Sequence, residues 1–150
     1  MADTSSRNSS RRIAEALGRV VRRRVRAPLY ADLTANLDAA VNPATYPVVS
    51  AIDRLGPSSA AALADEVGLD RSVVSRRAAT LVAAGLLASG PDPADARAVL
   101  LDLTDRGREA VVTMRERLDR AVDAATDEWT DEEVETFARL FTRFVDGLGR

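Results

Sequence analysis

Serine and arginine side chains share one side of the segment 70–77, which reads DRSVVSRR. Asp70 can begin a helix here, because a short carboxylate accepts hydrogen bonds from the backbone N–H groups of a first helical turn. At about 100° per residue, the apolar positions lie on one side (Val74, Ala78, Leu81) and the polar or small positions on the other (Ser72, Ser75, Arg76, Ala79, Ala83). Arginine pairs with guanine through two hydrogen bonds, and serine bonds to bases or phosphates. This outer side therefore predicts a surface that reads double-stranded DNA; the alternative is an ordinary solvated helix face.

A second helix and a tight turn precede this segment. Gly56 and Pro57 end one helical pattern, and Ser58 or Ser59 can cap the next. Within that next pattern and the segment after it, Ala64, Gly68 and Val74 are spaced by four and then six residues. This is the usual spacing of a helix-turn-helix, in which a small residue lets the helices cross closely, glycine makes the turn and valine fills the angle between them.

Two short apolar runs follow, at 86–89 and 98–103, separated by the polar stretch 90–97. They predict a β-hairpin wing whose tip is stiffened by two prolines. Arg97 at this tip could enter a narrow minor groove, where the negative potential is enhanced, and Asp95 could orient its guanidinium. Arg71 and Arg77 add positive charge beside the recognition positions, and we expect Arg77 to reach a phosphate or to pack its stem on the lobe.

Amphipathic helical patterns flank this central region. An N-terminal stripe recurs at spacings of three and four (Ile13, Leu17, Val20, Val21, Val25), Pro28 interrupts it, and Leu29 to Ala40 resumes it. After the wing, Thr104 can cap a long helix to about Ala125, and Thr130 with Glu133 matches a capping box before a last helix that holds all three phenylalanines. The flanking stripes predict either core packing or a dimer interface.

Composition removes most other classes of function. The 150 residues include no histidine and no cysteine, which excludes disulfides, zinc fingers and His or Cys catalysis, and no glycine-rich phosphate loop is present. We therefore expect neither an enzyme nor a cofactor. No apolar run is long enough to span a membrane and the N-terminus lacks a signal-peptide core, so we expect a cytoplasmic protein.

Charge is unevenly distributed along the chain. The formal net charge is −2, but residues 1–27 hold eight arginines against two acids and residues 98–150 hold eight arginines against thirteen acids. Because salt screens charges beyond about 10 Å, local basic patches govern phosphate contacts, and a weakly acidic chain can still bind DNA.

Taken together, these motifs resemble the multiple antibiotic resistance regulator (MarR) family of bacterial transcription factors. The resemblance lies in residues 63–69, 71–81, 84–87, 92–99 and 103–107. It implies an obligate homodimer with two winged helix-turn-helix lobes on a pseudo-palindromic operator, with recognition helices in major grooves and wings in the minor groove. It also implies repression that a small, often aromatic, ligand relieves. By position, Ser72, Ser75 and Arg76 face the groove, and Asp95 and Arg97 form the wing pair. Two features depart from the family pattern: Arg77 replaces an apolar residue, and Pro28 breaks the N-terminal helix.

The predicted fold is mainly α with a small β-hairpin wing. Residues 1–9 are expected to be a disordered tail, 10–41 and 108–150 to be dimerisation helices, and 42–107 to be the winged helix-turn-helix lobe. The predicted DNA-binding residues are Arg71, Ser72, Ser75, Arg76, Arg77, Asp95 and Arg97. The rival interpretation is a winged-helix module that binds protein, such as an anti-repressor, although such a module would have little use for Arg76 and Arg97 together.

Overall fold

The computed structural model describes residues 2–95 and 98–148, with side chains from residue 7 onwards. These residues form seven helices and three short strands: α1 (Ala2–Val20), α2 (Arg23–Thr34), α3 (Tyr46–Leu55), β1 (Ser58–Ser59), α4 (Ala60–Val67), α5 (Arg71–Ala83), β2 (Leu87–Pro91), β3 (Val99–Leu103), α6 (Asp105–Ala125) and α7 (Asp131–Leu148). The predicted fold class, mainly helical with a β wing, is confirmed.

The sheet has one strand more than the predicted hairpin. The strand order is β1-β3-β2, and both pairings are antiparallel. Leu87 pairs with Leu103 and Pro91 with Val99, so β2 and β3 form the hairpin, while Ser58 of β1 pairs with Leu101 on the opposite edge of β3. Two serines carry no alternating apolar pattern, which is why the sequence does not reveal β1 as a strand.

A single apolar cluster joins the helices of this lobe to the sheet. Its fully buried members come from α3 (Val48, Val49, Ile52), α4 (Leu63), α5 (Val74, Leu81) and the start of the hairpin (Leu86, Leu87), and α6 contributes Val111 and Met114. Each of these helices buries one stripe and exposes the rest. The cluster thereby holds α5 by its inner side and leaves its outer side exposed.

The N-terminal helices differ from the prediction in three ways. Residues 2–9, expected to be a disordered tail, lie in α1, which begins at Ala2. Once the stripe of α1 has nucleated a helix, each added residue gains a hydrogen bond at little further cost, so the helix extends through a polar segment. The chain breaks at Val21–Arg22 and not at Pro28, which lies inside α2. Finally, α2 ends at Thr34, and Asn36 at φ 55° starts an irregular loop where the resumed helix was expected to continue.

The chain divides into two compact units, of which the first ends at Arg115 and the second begins at Glu116. In the second unit, the predicted capping box is confirmed: the Thr130 N–H donates to Glu133 Oε2 at 2.9 Å, and the Glu133 N–H donates to Thr130 Oγ1 at 3.3 Å. An aromatic ladder runs along α7, with ring centroids 5.2 Å apart for Trp129 and Phe137 and 5.3 Å apart for Phe137 and Phe141.

Candidate nucleic-acid interface

The α4–α5 turn positions the predicted recognition helix. Gly68 ends α4 at φ 64°, and the N–H of Leu69 donates to the Ala64 carbonyl at 3.1 Å. Glycine adopts this left-handed conformation without the steric cost that a Cβ adds. Ala64 and Val74 are both buried at the crossing of the two helices. The three positions predicted to build the helix-turn-helix therefore do so.

Asp70 occupies the N-cap position of α5, as predicted, but its side chain makes no cap hydrogen bond. Its backbone carbonyl accepts instead from the N–H groups of Val73 at 2.9 Å and Val74 at 3.1 Å. By contrast, Ser59 caps α4 through its hydroxyl, which accepts from the Ala62 N–H at 3.2 Å. The first turn of α5 thus keeps N–H groups available for another acceptor, such as a phosphate.

The outer side of α5 is exposed and cationic. Arg71, Ser72, Ser75 and Arg76 are all exposed, and Arg77 is half-buried. None of the three arginines has an ion pair or side-chain hydrogen bond to another described residue, whereas Arg54 on α3 and three arginines of α6 are each paired with a carboxylate (Arg106, Arg108, Arg115). Because α5 itself carries no acid, its positive charge is free to act on an external anion.

The wing is a short hairpin whose strands are joined by hydrogen bonds up to Asp92 and Ala98. The Asp92 N–H donates to the Ala98 carbonyl at 3.0 Å, and Asp92 Oδ1 accepts from the Ala94 N–H at 2.8 Å. The Ala98 N–H donates in turn to the Asp95 carbonyl at 2.8 Å. Asp95 is exposed. Arg97, the other member of the predicted wing pair, lies outside the described residues.

A groove of about 800 Å³ separates α5 from the sheet. Arg71 and Ser75 line it from α5, and Asp95 and Val99 line it from the wing. The groove therefore brings together three of the predicted site residues, whereas Ser72, Arg76 and Arg77 do not line it. Ser59 of β1 and Ser89 of β2 also line it, and neither was predicted, because their place depends on the pairing of β3 with two partners.

The tyrosines lie in the first compact unit, and the tryptophan and the phenylalanines lie in the second. Tyr30 and Tyr46 have ring centroids 4.6 Å apart, and the Arg26 guanidinium lies 5.9 Å from the Tyr30 centroid. Burial raises the pKa of Tyr46, and a hydrogen bond with Ser50 partly offsets that effect. Trp129 instead belongs to the α7 ladder.

The residues that the structure describes contain no cluster of carboxylates arranged to hold a metal ion. They also contain no helix that is long and apolar enough to cross a membrane.

Comparison with known proteins agrees with this architecture. The sequence profile of the MarR family matches residues 41–98. Over 107 residues the chain is 33% identical to the HTH-type transcriptional regulator YxaD of Bacillus subtilis, covering 68% of this chain and 74% of YxaD.

Two solved structures have a similar fold. RV1404 from Mycobacterium tuberculosis is 25% identical, with a TM-score of 0.72 over 92% of this chain and 93% of that one. BpsR of Bordetella bronchiseptica, whose DNA binding is regulated by 6-hydroxynicotinic acid, is 24% identical, with a TM-score of 0.63 over 89% of this chain and 98% of BpsR. The chain belongs to the MarR family and is a DNA-binding transcriptional regulator, not an enzyme.

Proposed function

We propose that the protein is a homodimeric repressor that binds a pseudo-palindromic operator through α5 of each copy. The observation that carries this proposal is the outer side of α5, where exposed arginines that pair with no other described side chain lie beside exposed serines. A helix of this kind can enter the major groove with its N-terminal half toward the base edges. The small residues Ala79 and Ala83 in its second half leave room for the walls of the groove.

Each predicted residue of α5 has a proposed role. Arg76 pairs with a guanine, and Ser72 and Ser75 bond to bases or to phosphate oxygens. Arg71 lies at the start of the helix, where a phosphate would also meet free backbone N–H groups. Arg77 is half-buried on the flank, so its guanidinium is assigned to the phosphate backbone and its stem to the lobe.

The wing is proposed to contact the minor groove through Arg97, with Asp95 orienting the guanidinium. This role rests on the sequence, because Arg97 is outside the described residues. In support of this role, Asp95 lines the protein groove between α5 and the sheet, which Arg71 and Ser75 also line. In this arrangement α5, on one side of the protein groove, would contact the DNA major groove, and the wing, on the other side, would contact the minor groove.

The homodimer is proposed to form through the flanking helices. On α7, the residues Phe137, Leu140, Phe141, Val145 and Leu148 are each 47–58% exposed, and on α1 and α2 so are Ile13 and Val25, at 50% each. On each helix, exposed apolar side chains of this kind mark a protein contact. A two-fold pair of lobes would in turn match an operator with two half-sites.

Control by a small aromatic acid completes the proposal. Support comes from BpsR, a protein of similar fold whose DNA binding responds to 6-hydroxynicotinic acid. In this chain, Tyr30 and Tyr46 with Arg26 offer ring faces and a cation close together. A thermal-shift screen of aromatic acids, followed by a gel-shift assay of operator release, tests this part; a ligand that stabilises the protein without releasing DNA argues against it.

The decisive experiment is a binding assay of the purified protein on the DNA upstream of its own gene. We expect a protected site with two half-sites about one helical turn apart, tighter than random DNA of the same length. A reporter gene under that site should be expressed more strongly when the protein is deleted. Equal affinity for all sequences would reject sequence-specific recognition, and lower reporter expression on deletion would reject repression.

A further inference from the structure

We propose that Arg106 is a positioning residue for DNA reading, which ties the C-terminal end of α5 to the loop between α2 and α3. Arg106 lies on α6, away from the outer side of α5, and sequence reasoning gives it no role. The inference rests on the proposed function of α5 as the recognition helix. It assigns to Arg106 control over the direction in which that helix points.

The last carbonyl groups of a helix lack partners within the helix. At the end of α5, the carbonyls of Thr80, Leu81 and Val82 accept from the N–H groups of Ala84, Leu86 and Gly85, and the start of α6 binds the carbonyls that follow. Arg106 Nη1 donates to the Ala84 carbonyl at 2.8 Å, and Thr104 Oγ1 donates to the Gly85 carbonyl at 2.7 Å. The Thr104 N–H donates to the Leu86 carbonyl at 3.1 Å. Three successive carbonyls are thus bound by two residues, and the one cation among these donors lies at the negative end of the helix dipole.

Arg106 also reaches a second element. Its Nη2 lies 2.6 Å from Asp38 Oδ2, while Asp38 Oδ1 accepts from the Ala40 N–H at 2.9 Å. The loop that carries Asp38 is fixed further along by Thr45, whose buried hydroxyl donates to the Ala40 carbonyl at 2.6 Å. One guanidinium therefore connects the recognition helix with an internally bonded loop, through two nitrogens of a rigid fork.

This end of α5 controls the position of its reading residues. Apolar burial along the inner side is non-directional, whereas the hydrogen bond from Arg106 to the Ala84 carbonyl fixes both a distance and a direction. Arg76 lies eight residues from Ala84, or about 12 Å along the helix. A tilt of about 5° about that end would displace Arg76 by about 1 Å, enough to break a hydrogen bond to a base edge.

The test compares R106A with R115A, a matched control. Arg115 lies on the same helix, its side chain is 62% exposed against 59% for Arg106, and it pairs with Asp53 of α3 and not with α5. Two further variants separate the contacts: R106K keeps the charge but cannot make both bonds of the fork, and D38N removes the ion pair but leaves Arg106 its bond to Ala84. Each full-length variant is assayed for affinity to the operator and to random DNA, and for hydrogen exchange of the amides in residues 80–86 without DNA.

We expect R106A to weaken operator binding about tenfold and random-DNA binding no more than R115A does, because a misdirected helix loses base contacts while phosphate contacts persist. Exchange in residues 80–86 should rise in R106A and, less strongly, in R106K, and stay at the wild-type level in R115A. For D38N, the exchange in residues 80–86 should lie between the values for R106K and wild type.

Two results overturn the proposal: an operator-to-random ratio equal in R106A and R115A, or wild-type exchange in residues 80–86 in both R106A and R106K. If the wild-type protein itself shows no preference for the operator, the proposed function fails, and the exchange measurement alone decides whether Arg106 holds the end of α5.

Discussion

Gly107 of α6 lies directly against the backbone carbonyl of Leu86, so that any Cβ at position 107 would overlap that oxygen. The approach is possible because Thr104 binds the carbonyls of Gly85 and Leu86 and also caps α6, accepting from the Gly107 N–H at 3.1 Å. The start of α6 is thereby set against the end of α5 and the start of the wing.

Gly107→Ala should destabilise the fold by about 3 kcal/mol, since the added methyl group meets backbone and the side chain of Leu103 and α6 must move away. Gly90→Ala is the control, because a Cβ there meets nothing within 4 Å. Urea denaturation of both variants measures the change. Equal stabilities for the two would show that α6 can shift at no cost.

Shortening a fully buried side chain in the core of the lobe should lower the free energy of unfolding substantially. Leu63 is 0% exposed, so Leu63→Ala should lower the free energy of unfolding by about 2–5 kcal/mol. Leu55, on the neighbouring helix α3, is 48% exposed, and Leu55→Ala should cost far less because most of its surface already faces water. Chemical denaturation compares the pair, and a similar loss in both would contradict the packing described for α4.

Arg76→Ala tests direct reading of a base. If Arg76 binds guanine, the change should cost about 1–3 kcal/mol of operator binding and relax the preference at one position in each half-site. Affinities for a set of operators substituted one base pair at a time provide the measurement. Uniform weakening on every sequence would make Arg76 a phosphate contact instead.

Salt dependence tests the electrostatic part of the affinity. Because each neutralised phosphate releases counterions, operator affinity should fall steeply with salt, and Arg71→Ala should lower the slope of log K against log salt by about 1. Titrations at several salt concentrations give the two slopes. A flat response of the wild-type protein would reject arginine–phosphate contacts as the main source of affinity.

The exposed face of α7 predicts the effect of a charge placed upon it. Phe141→Glu should convert the proposed dimer to monomer at micromolar concentration, because the carboxylate would be buried without a partner at the proposed interface. Thr142→Glu introduces the same charge at the next position, off the aromatic ladder, and should leave the dimer intact. Light scattering after size exclusion distinguishes the two states, and a Phe141→Glu dimer as tight as wild type would exclude this face from the interface.

The sequence by itself determined the helix-turn-helix, because its features are local. Ala64, Gly68 and Val74 specify a crossing, a turn and a filled angle within eleven residues, and the helical period places Ser72, Ser75 and Arg76 together on the outer side. The Thr130–Glu133 capping box is equally local and is confirmed, and of the two serines predicted as alternative caps of α4, Ser59 is the one that caps it. Whether the outer side of α5 reads DNA as proposed stays a prediction.

Tertiary structure decided what depends on distant partners. β1 forms because Ser58 and Ser59 pair with β3, about forty residues later in the chain. Two serines carry no sequence pattern that predicts a strand. The break of the N-terminal helix falls at Val21–Arg22 although proline marks residue 28, since one lost hydrogen bond within α2 is outweighed by its other bonds and packing. Arg106 meets Asp38 across 68 residues. Only the folded chain brings that guanidinium to the end of α5, because such a contact is set by packing and not by sequence spacing.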